Sequence, residues 1–463
     1  MRKRAQPFKG TRMKNLLVIL AAVAVLGASC GNRGSDDSGA AGGTSTTVVA
    51  SSAGPGDWGA LEDVCGPKEG GGKVPAADAR GVSASAIKLS TVADPGFSGR
   101  PGLNQEVFDA GDAFVTWCNA AGGVNGKKLE LTKRDAKLTD YKQMVEASCQ
   151  TDFALVGGGA VADDSWPDVG PKCGLIDVAG FAATPAKAGL AGDTPAKTRT
   201  VQAVPNPADR FAVGAALQLD RKYPDAKDRH GYLYADLPTA IEQKAKEQAA
   251  FEQLDHLTVY ESAYHPAGES DWKPFASAIK RARVTFLTFV GEPANGAALA
   301  QALDQTGYTP TVRLLDANFY DQSYIDAAGM AAEGAYVGTV FAPLEEADHH
   351  PATQLYEDNI TAIKGKKAVL GLQSTSAWLL FATVAKGCDL NNNLTRTCLL
   401  DELAKVTTWT GGGLHAPSSP GTNEGPDCVA ILEVKDGVFT RWGPTDQEFA
   451  CSPKYVATVK PAS

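Results

Sequence analysis

The sequence predicts an α/β protein built as two Rossmann-like lobes, each with a mostly parallel, doubly wound sheet. Three observations predict this fold class: short apolar strands alternate with helical patterns, a glycine-rich βαβ unit opens the series, and a proline-containing segment divides it into two. The chain has 463 residues, of which 43% are hydrophobic and 21% are charged. That length and composition are sufficient for two cores.

The first 29 residues have the pattern of a secretory signal peptide. Six basic residues precede an uncharged apolar run at residues 16–27, which is too short for a permanent membrane span. The residues before Cys30, Leu26-Gly-Ala-Ser, resemble a bacterial lipoprotein cleavage box, in which the cysteine receives lipid. The usual branched residue three positions before the cysteine is replaced by Gly27, so ordinary secretion without an anchor is the alternative. Residues 30–60 are rich in small and polar residues and predict a flexible tether.

The opening βαβ unit comprises an apolar strand at residues 86–92, a helix at 103–118 and a second strand at 127–135. The helix ends in Asn119 and the pair Gly122-Gly123, which readily take the positive φ that a helix terminus needs. Asn125-Gly126 then predicts a tight turn into the second strand. Strand, helix, glycine turn and strand form a right-handed crossover unit.

Further strands and helices follow in alternation. The strands of the first series are predicted at 153–157, 174–179 and 200–204, and those of the second series, after Pro205-Asn-Pro207, at 231–235, 257–263, 284–290, 311–316 and 335–341. The intervening helices of the second series are predicted at 208–222, 240–254, 272–283 and 294–306. Near the end, Asp436-Gly437 between two apolar runs predicts a β-hairpin.

Eight cysteines remain after Cys30, and an even number in an exported chain indicates disulfides. Eight cysteines allow about 105 pairings, which their positions on the predicted elements narrow. Cys149 and Cys173 end successive helices, Cys388 and Cys398 lie on either side of a polar loop, and Cys428 and Cys451 flank the terminal hairpin. Cys118 ends the first helix, near the point where the segment from Cys65 reaches the first strand. We predict the pairs Cys65–Cys118, Cys149–Cys173, Cys388–Cys398 and Cys428–Cys451.

Several segments resemble the leucine/isoleucine/valine-binding family of solute receptors. They are residues 86–94, the stretch 119–131, the segment Gly268-Glu-Ser-Asp271-Trp272 with Phe275, and Ala332-Glu-Gly334-Ala-Tyr-Val. The resemblance spans roughly residues 86–444 and implies the type 1 periplasmic-binding-protein fold, with three crossovers near Val204, near Phe341 and at residues 420–426. It implies lobe 1 at residues 61–205 plus 343–425, and lobe 2 at 206–342 plus 426–463.

That resemblance implies a function. Such proteins capture a small molecule in an inter-lobe cleft and deliver it to the permease and ATPase of an ABC importer, without a cofactor. We expect a monomer anchored as a lipoprotein to the outer face of the bacterial cell membrane. The alternatives are a ligand-sensing regulatory lipoprotein with no transporter and an exported enzyme.

Ligands of open α/β sheets bind beyond the carboxyl ends of the strands. In lobe 1 we predict ligand-binding residues in three of these loops. They are Phe97, as a lid, in the loop after the first strand, Gly159, Ala160, Asp164 and Ser165 after the third, and Phe181 and Ala183 after the fourth. Asp163 and Asp164 could alternatively cap the following helix. Receptors of this family that bind amino acids carry hydroxyl residues in the two later loops, whereas here most positions are Gly, Ala or Asp.

In lobe 2 the ligand-binding residues that we predict in the corresponding loops are Asp236, Glu292, Asn318 and Tyr320. In the family's amino-acid receptors an aromatic and an acidic residue from these loops hold the ammonium group. Here Glu292 lies near the aromatic position and Asn318 near the acidic one. A branched-chain amino acid, an amide, a urea-like compound and an aromatic acid all remain open as ligands.

The remaining patterns argue against other functions. Removal of the signal takes away six basic and no acidic residues, which lowers the formal net charge from −9 to −15 and leaves no basic tract for a nucleic acid. The sequence has no Gly-x-Ser-x-Gly elbow, phosphate-binding loop or His-Glu-x-x-His motif, so no catalytic residue is nominated. Adjacent His349 and His350 project differently and are followed by proline, and we predict no metal site.

Overall fold

The computed structural model describes residues 54–461 of the chain. The predicted signal peptide, the lipidation of Cys30 and most of the tether lie outside the described residues. The strands are β1 (Ala86–Ala93), β2 (Lys128–Asp135), β3 (Ala154–Val156), β4 (Asp177–Ala179), β5 (Thr200–Gln202), β6 (Arg210–Ala212), β7 (His230–Ala235), β8 (Thr258–Tyr264), β9 (Phe286–Val290), β10 (Val312–Leu315), β11 (Ala335–Thr339), β12 (Cys428–Lys435), β13 (Val438–Gly443), β14 (Ala450–Cys451) and β15 (Val456–Thr458).

Helices connect and cover these strands. They are α1 (Gln105–Ala121), α2 (Tyr141–Thr151), α3 (Trp166–Val169), α4 (Pro185–Ala188), α5 (Pro195–Thr198), α6 (Gly214–Lys222), α7 (Pro238–Glu252), α8 (Lys273–Ala282), α9 (Pro293–Gln305), α10 (Gln322–Ala328), α11 (Pro351–Ala362), α12 (Val369–Leu390) and α13 (Arg396–Leu403). Among the described residues, no helix is both long and apolar enough to cross a membrane.

The first sheet has five parallel strands in the order β2-β1-β3-β4-β5. The strand order reverses between β1 and β3, which makes this edge a topological switch point. The long helix α12 packs against α1, β3 and β4, and most of its residues are buried. The predicted βαβ opening unit is confirmed, since β1 and β2 pair in parallel along eight residues.

The second sheet has the order β13-β12-β11-β10-β9-β7-β8. The five strands from β8 to β11 are parallel, and β12 and β13 add an antiparallel hairpin. Asp436 and Gly437 join that hairpin with φ values of 54° and 77°, as the sequence predicted. Positive φ at both positions matches the twist of the flanking strands.

The prediction of one helix over residues 208–222 is wrong in its first part. Residues 210–212 form the short strand β6, which pairs antiparallel with β15 near the end of the chain, and α6 begins only at Gly214. The partner strand lies more than 240 positions further along the sequence. Long-range pairing of this kind overrides a local helical pattern.

The chain passes between the two sheets three times, and the three crossing segments lie side by side. The first follows β5, the second follows β11, and the third precedes β12. The Ala416 N–H donates to the Val340 carbonyl, and the Ser418 hydroxyl donates to the Ala203 carbonyl at 2.7 Å. These hydrogen bonds tie all three segments together at the base of the space between the sheets.

The structure joins all four expected cysteine pairs. Cys65–Cys118 fastens the N-terminal segment to the end of α1, and Cys149–Cys173 links α2 to the turn before β4. Cys388–Cys398 closes the connection between α12 and α13, and Cys428–Cys451 ties β12 to β14. Three of the bridges therefore stabilise the half of the molecule that carries the first sheet.

Candidate ligand-binding cavity

A cavity of about 980 Å³ lies where the carboxyl ends of the two sheets face each other. Loops from both sheets line it, in agreement with the rule for open α/β sheets. The loops after β1, β4, β9 and β10 contribute the residues 97, 100–104, 181–183, 291–293 and 316–318. The crossing segments form its base, with Val204, Val340, Ser418 and Gly425 among the lining residues.

Five of the eleven residues nominated from sequence line this cavity: Phe97, Phe181, Ala183, Glu292 and Asn318. The other six lie away from it: Gly159, Ala160, Asp164, Ser165, Asp236 and Tyr320. Ala160 is buried in the core beside α2, while Asp164 and Asp236 are exposed. Tyr320 is buried, and its hydroxyl bonds to the Leu344 N–H and to Glu345.

Helix capping by Asp163 and Asp164 does not occur. The helix that follows, α3, spans only four residues and receives no side-chain cap. Instead Asp163 turns inward, where it is fully buried and accepts hydrogen bonds from the N–H groups of Ala183 and Thr184, each at 2.9 Å. The buried Lys187 ammonium lies 3.7 Å from Asp163 and 2.8 Å from Asp177. Asp163 therefore shapes the loop that carries Ala183 into the cavity.

Two ion-pair groups join the sheets at the mouth of the cavity. Arg100, after β1, pairs with Glu292, after β9. Lys366 lies 3.1 Å from Glu106 on α1 and 2.6 Å from Asp321 near α10. Burial raises the pKa of Glu292, and the Arg100 charge opposes this shift. Glu292, the acid that the sequence places near the family's aromatic position, therefore already has a cation partner.

Asn318 has a structural partner as well. Its side-chain N–H donates to the Gly291 carbonyl at 2.8 Å, which ties the loop after β10 to the loop after β9. Asn295 donates to the Glu292 carboxylate at 3.2 Å. These bonds position the lower rim of the cavity, and they use one of the two N–H donors of the Asn318 amide.

Three other polar groups of the lining are buried. The Tyr264 hydroxyl, the Gln373 carbonyl oxygen and one carboxylate oxygen of Glu247 have no hydrogen-bond partner within the described residues 54–461. Buried polar groups are normally paired, so such groups deserve an explanation. All three residues line the cavity, and a ligand that offered donors and acceptors there would satisfy them.

The charges in the lining are unbalanced. Seven carboxylates contribute to it (Glu106, Glu247, Glu292, Asp316, Asp321, Glu424 and Asp427), against three cations (Arg100, Arg210 and Lys366). Each of the cations already lies within 4 Å of a carboxylate, Arg210 being paired with Asp209 at 2.6 Å. The formal charge of the lining is therefore negative, and every cation that residues 54–461 contribute to it is already paired with a carboxylate.

The family model described as "Periplasmic binding protein" matches residues 98–438. The chain belongs to the periplasmic binding protein family. Proteins of this family bind solutes, and the two sheets facing a common cavity have the arrangement of their type 1 fold. A search of curated protein sequences gives no significant match to this chain.

Solved structures similar to this periplasmic binding protein include a fatty acid ABC transporter substrate-binding protein from Thermomonospora curvata, with 18% identity and a TM-score of 0.66 over 84% of this chain and 97% of that one. The leucine binding protein LivK from Thermotoga maritima has 15% identity and a TM-score of 0.63, covering 77% and 98%. The branched-chain amino acid binding protein LivJ from Streptococcus pneumoniae, solved with isoleucine, has 14% identity and a TM-score of 0.62, covering 77% and 98%. At these identities the likeness shows the fold alone.

Sequence reasoning missed Arg100, Tyr264, Lys366 and Gln373 as lining residues of this periplasmic binding protein, and it missed Glu247. One signal for Glu247 was present. Along α7 the inward positions recur at helical spacing, and Glu247 occupies one of them between Ala240 and Phe251. An acid on the buried stripe of an amphipathic helix marks a candidate site. Within residues 54–461 no three potential ligand side chains converge as a metal site.

Proposed function

We propose that this protein is an extracytoplasmic receptor that captures a small organic solute in the cavity between its sheets and delivers it to an ABC importer. The observation that carries the proposal is the position of the cavity. It lies at the carboxyl ends of the parallel strands of two sheets, which are joined by three adjacent crossing segments. Segments of this kind act as hinges when two lobes close on a ligand.

The lobes in this proposal are residues 61–205 plus 343–425 and residues 206–342 plus 426–463. A ligand that touches both halves would favour the closed arrangement over the open one by its differential affinity. Phe97, Phe181 and Ala183 would supply contacts from one side, and Glu292 and Asn318 from the other. The permease of the importer would then recognise the closed form.

The cellular part of the proposal rests on the N-terminal sequence. Cleavage before Cys30 and lipidation of its thiol would anchor a monomeric receptor on the outer face of the membrane. The small and polar residues after Cys30 would let it reach the permease. The four disulfides agree with an oxidising compartment outside the cytoplasm.

The size of the cavity bears on the ligand. Ligand pockets commonly enclose about 300–1,000 Å³, so a cavity of about 980 Å³ lies at the upper end. The names of the similar structures include a fatty acid, leucine and isoleucine as ligands. A single branched-chain amino acid would fill only part of this volume, which favours a longer solute.

Thermal-shift screening of the purified protein against amino acids, amides, amines and carboxylic acids tests the proposal. A bound solute should raise the melting temperature by mass action, and small-angle scattering should show a smaller radius of gyration with that solute. Asn318→Ala should weaken binding severalfold, because the rim loop loses its bond to Gly291. Asp236→Ala, an exposed loop variant away from the cavity, is the control. Absence of binding and of compaction with every solute would refute the receptor function.

A further inference from the structure

The cavity continues from the cleft into an arm beneath the second sheet. Four residues of α7 line this arm: Ala240, Gln243, Glu247 and Phe251. Their spacing of three, four and four places them on one face of the helix. At 1.5 Å rise per residue this face extends about 16 Å from the cleft toward the interior. The arm is therefore long compared with the side chain of an amino acid.

The walls opposite α7 are mostly apolar and small. Leu314 and Gly338 come from the middle of β10 and β11, on the sheet face that packs against α6. Phe211, Ala215 and Val456 close the sides. A β-carbon at Gly338 would meet the Ala215 β-carbon at 3.0 Å, so β11 and α6 are in close contact at this wall. The lining residues on this side are mainly apolar, and they suit an aliphatic body.

Two carboxyl groups interrupt this apolar surface. Glu247 on α7 is only 2% exposed, and its Oε2 has no hydrogen-bond partner in the part of the chain that the structure describes. Asp316, at the end of β10, lines the same cavity. No salt bridge to either carboxylate is present among the described residues. An uncompensated buried carboxylate is costly, and a cation at this point would remove the cost.

We propose that the arm is a subsite for an amphipathic cation, with a protonated amine or amidine group between Glu247 and Asp316 and an aliphatic body along the apolar walls. This assignment rests on the proposed solute-binding function and specifies the ligand class. A carboxylate such as that of a fatty acid is disfavoured, because the lining has seven acids and three cations that are already paired. The position of Glu247, on a helix beneath the sheet, sets this subsite apart from the loops at the cleft rim.

The protonation of the two acids supports this choice. Burial raises the pKa of Asp316 to about 7. Burial and the Asp316 charge raise the pKa of Glu247 well above its usual range. A bound cation favours the ionised carboxylates and lowers both pKa values. Binding of an amine below pH 7 should therefore release protons from the protein, whereas binding of a neutral alcohol should release none.

The other titratable groups around Glu247 do not supply that proton. Burial raises the pKa of Tyr232 on β7, and the charge of the neighbouring Glu247 raises it further. His230 on β7 hydrogen bonds to the Thr288 hydroxyl at 3.0 Å, and its pKa is lowered by burial and by the neighbouring His256. Both side chains are neutral near pH 6, so neither supplies the released proton. Burial also raises the pKa values of Glu106 and Glu292 in the cavity lining, and the variants Glu247→Gln and Asp316→Asn separate the two arm acids from them.

Isothermal titration of the purified protein with 1-hexylamine, 1-hexanol and hexanoate tests the subsite. At pH 7 hexylamine should bind at least tenfold more tightly than hexanoate. At pH 6, titrations in two buffers of different ionisation enthalpy should show net proton release with the amine alone. Glu247→Gln should weaken amine binding at least tenfold and leave hexanol affinity within twofold. Glu252→Gln, an exposed change on the same helix, should alter neither.

Two further variants test the subsite independently, in case Glu247→Gln does not fold. Asp316→Asn should reduce the amine preference and the proton release in the same direction. Ala240→Leu should narrow the arm and weaken all hexyl probes, whereas Ala245→Leu on the exposed face of α7 should weaken none. Hexanoate binding more tightly than hexylamine, or an unchanged amine affinity in Glu247→Gln and Asp316→Asn, would overturn the cationic subsite.

The outcomes separate this proposal from the receptor function. If another solute binds and compacts the protein while hexylamine shows no preference, the receptor function stands and the cationic subsite fails. If neither the hexyl probes nor any screened solute binds, both fail. Hexylamine binding with proton release but without compaction would support the subsite and count against closure of the lobes.

Discussion

Arg100 and Glu292 form an ion pair across the mouth of the cavity, one from each sheet. Arg100 is 36% exposed and Glu292 18% exposed, and pairs of this kind contribute only about 0–1 kcal/mol. Such a contribution is small compared with global stability. It is sufficient to change a balance between open and closed arrangements that differ by a similar free energy.

Arg100→Ala should shift the protein toward an open arrangement. We expect a larger radius of gyration in solution scattering, with little change in melting temperature, because only the contact between the sheets is lost. Lys133→Ala is a matched control, since it removes the exposed pair with Asp112 at 2.5 Å within the first-sheet half. Scattering curves of Arg100→Ala identical to those of the parent protein would contradict a role for this pair in closure.

Substitution of Asp163 should be strongly destabilising. Asp163→Ala removes the acceptor for the Ala183 and Thr184 N–H groups and one of the two carboxylates near the buried Lys187. Breaking a buried pair in this way costs about 3–5 kcal/mol. Urea unfolding of the variant measures the loss. Asp168→Ala, which breaks the exposed pair with Lys172, should change stability by less than about 1 kcal/mol.

The disulfides should contribute according to the length of chain that they close. Cys65–Cys118 spans 53 residues and Cys388–Cys398 spans 10. The chain-entropy model predicts stabilisation of about 4 kcal/mol for the former and about 3 kcal/mol for the latter. Paired cysteine-to-alanine variants, unfolded in urea, give the two values. A larger loss for the shorter loop would show that lost packing, rather than loop closure, dominates.

Stability of the empty protein should fall as the pH rises through the acids of the cavity. Burial raises the pKa of Asp316 from 3.8 to about 7, so the folded protein binds more protons than the unfolded chain between these values. The unfolding free energy from this group therefore decreases with increasing pH across that window. Glu247, whose pKa is also raised by burial, acts in the same direction.

Asp316→Asn removes that dependence. Urea unfolding at pH 5 and at pH 8 gives the free energy of unfolding of the variant and of the parent protein. The value of the variant minus that of the parent should be larger at pH 8 than at pH 5. Asp236→Asn, in an exposed loop, provides the comparison for a carboxylate outside the cavity. Equal changes at both pH values would mean that Asp316 titrates in the folded protein as it does in the unfolded chain.

Local patterns predicted the elements well where the deciding interactions are close in sequence. The Asp436-Gly437 turn, the strand at Ala86–Ala93 and the parallel β1–β2 unit are confirmed. The exception at residues 210–212 arose because their partner is β15. The capping expected of Asp163 also failed, because the buried Lys187 and the 182–184 loop attract that carboxylate more strongly than a helix of four residues does.

The sequence by itself determined the alternation of strands and helices, the division of the chain at Pro205-Asn-Pro207 and the likeness to solute receptors. These features depend on periodicity, turn residues and short segments, which are properties of neighbouring residues. Only the tertiary structure decided that Arg100 meets Glu292 and that Glu247 and Asp316 share one cavity. The physical reason is that two separate sheets must pack before loops and helix faces that are distant in sequence converge, and their burial then sets the charge and protonation of the site.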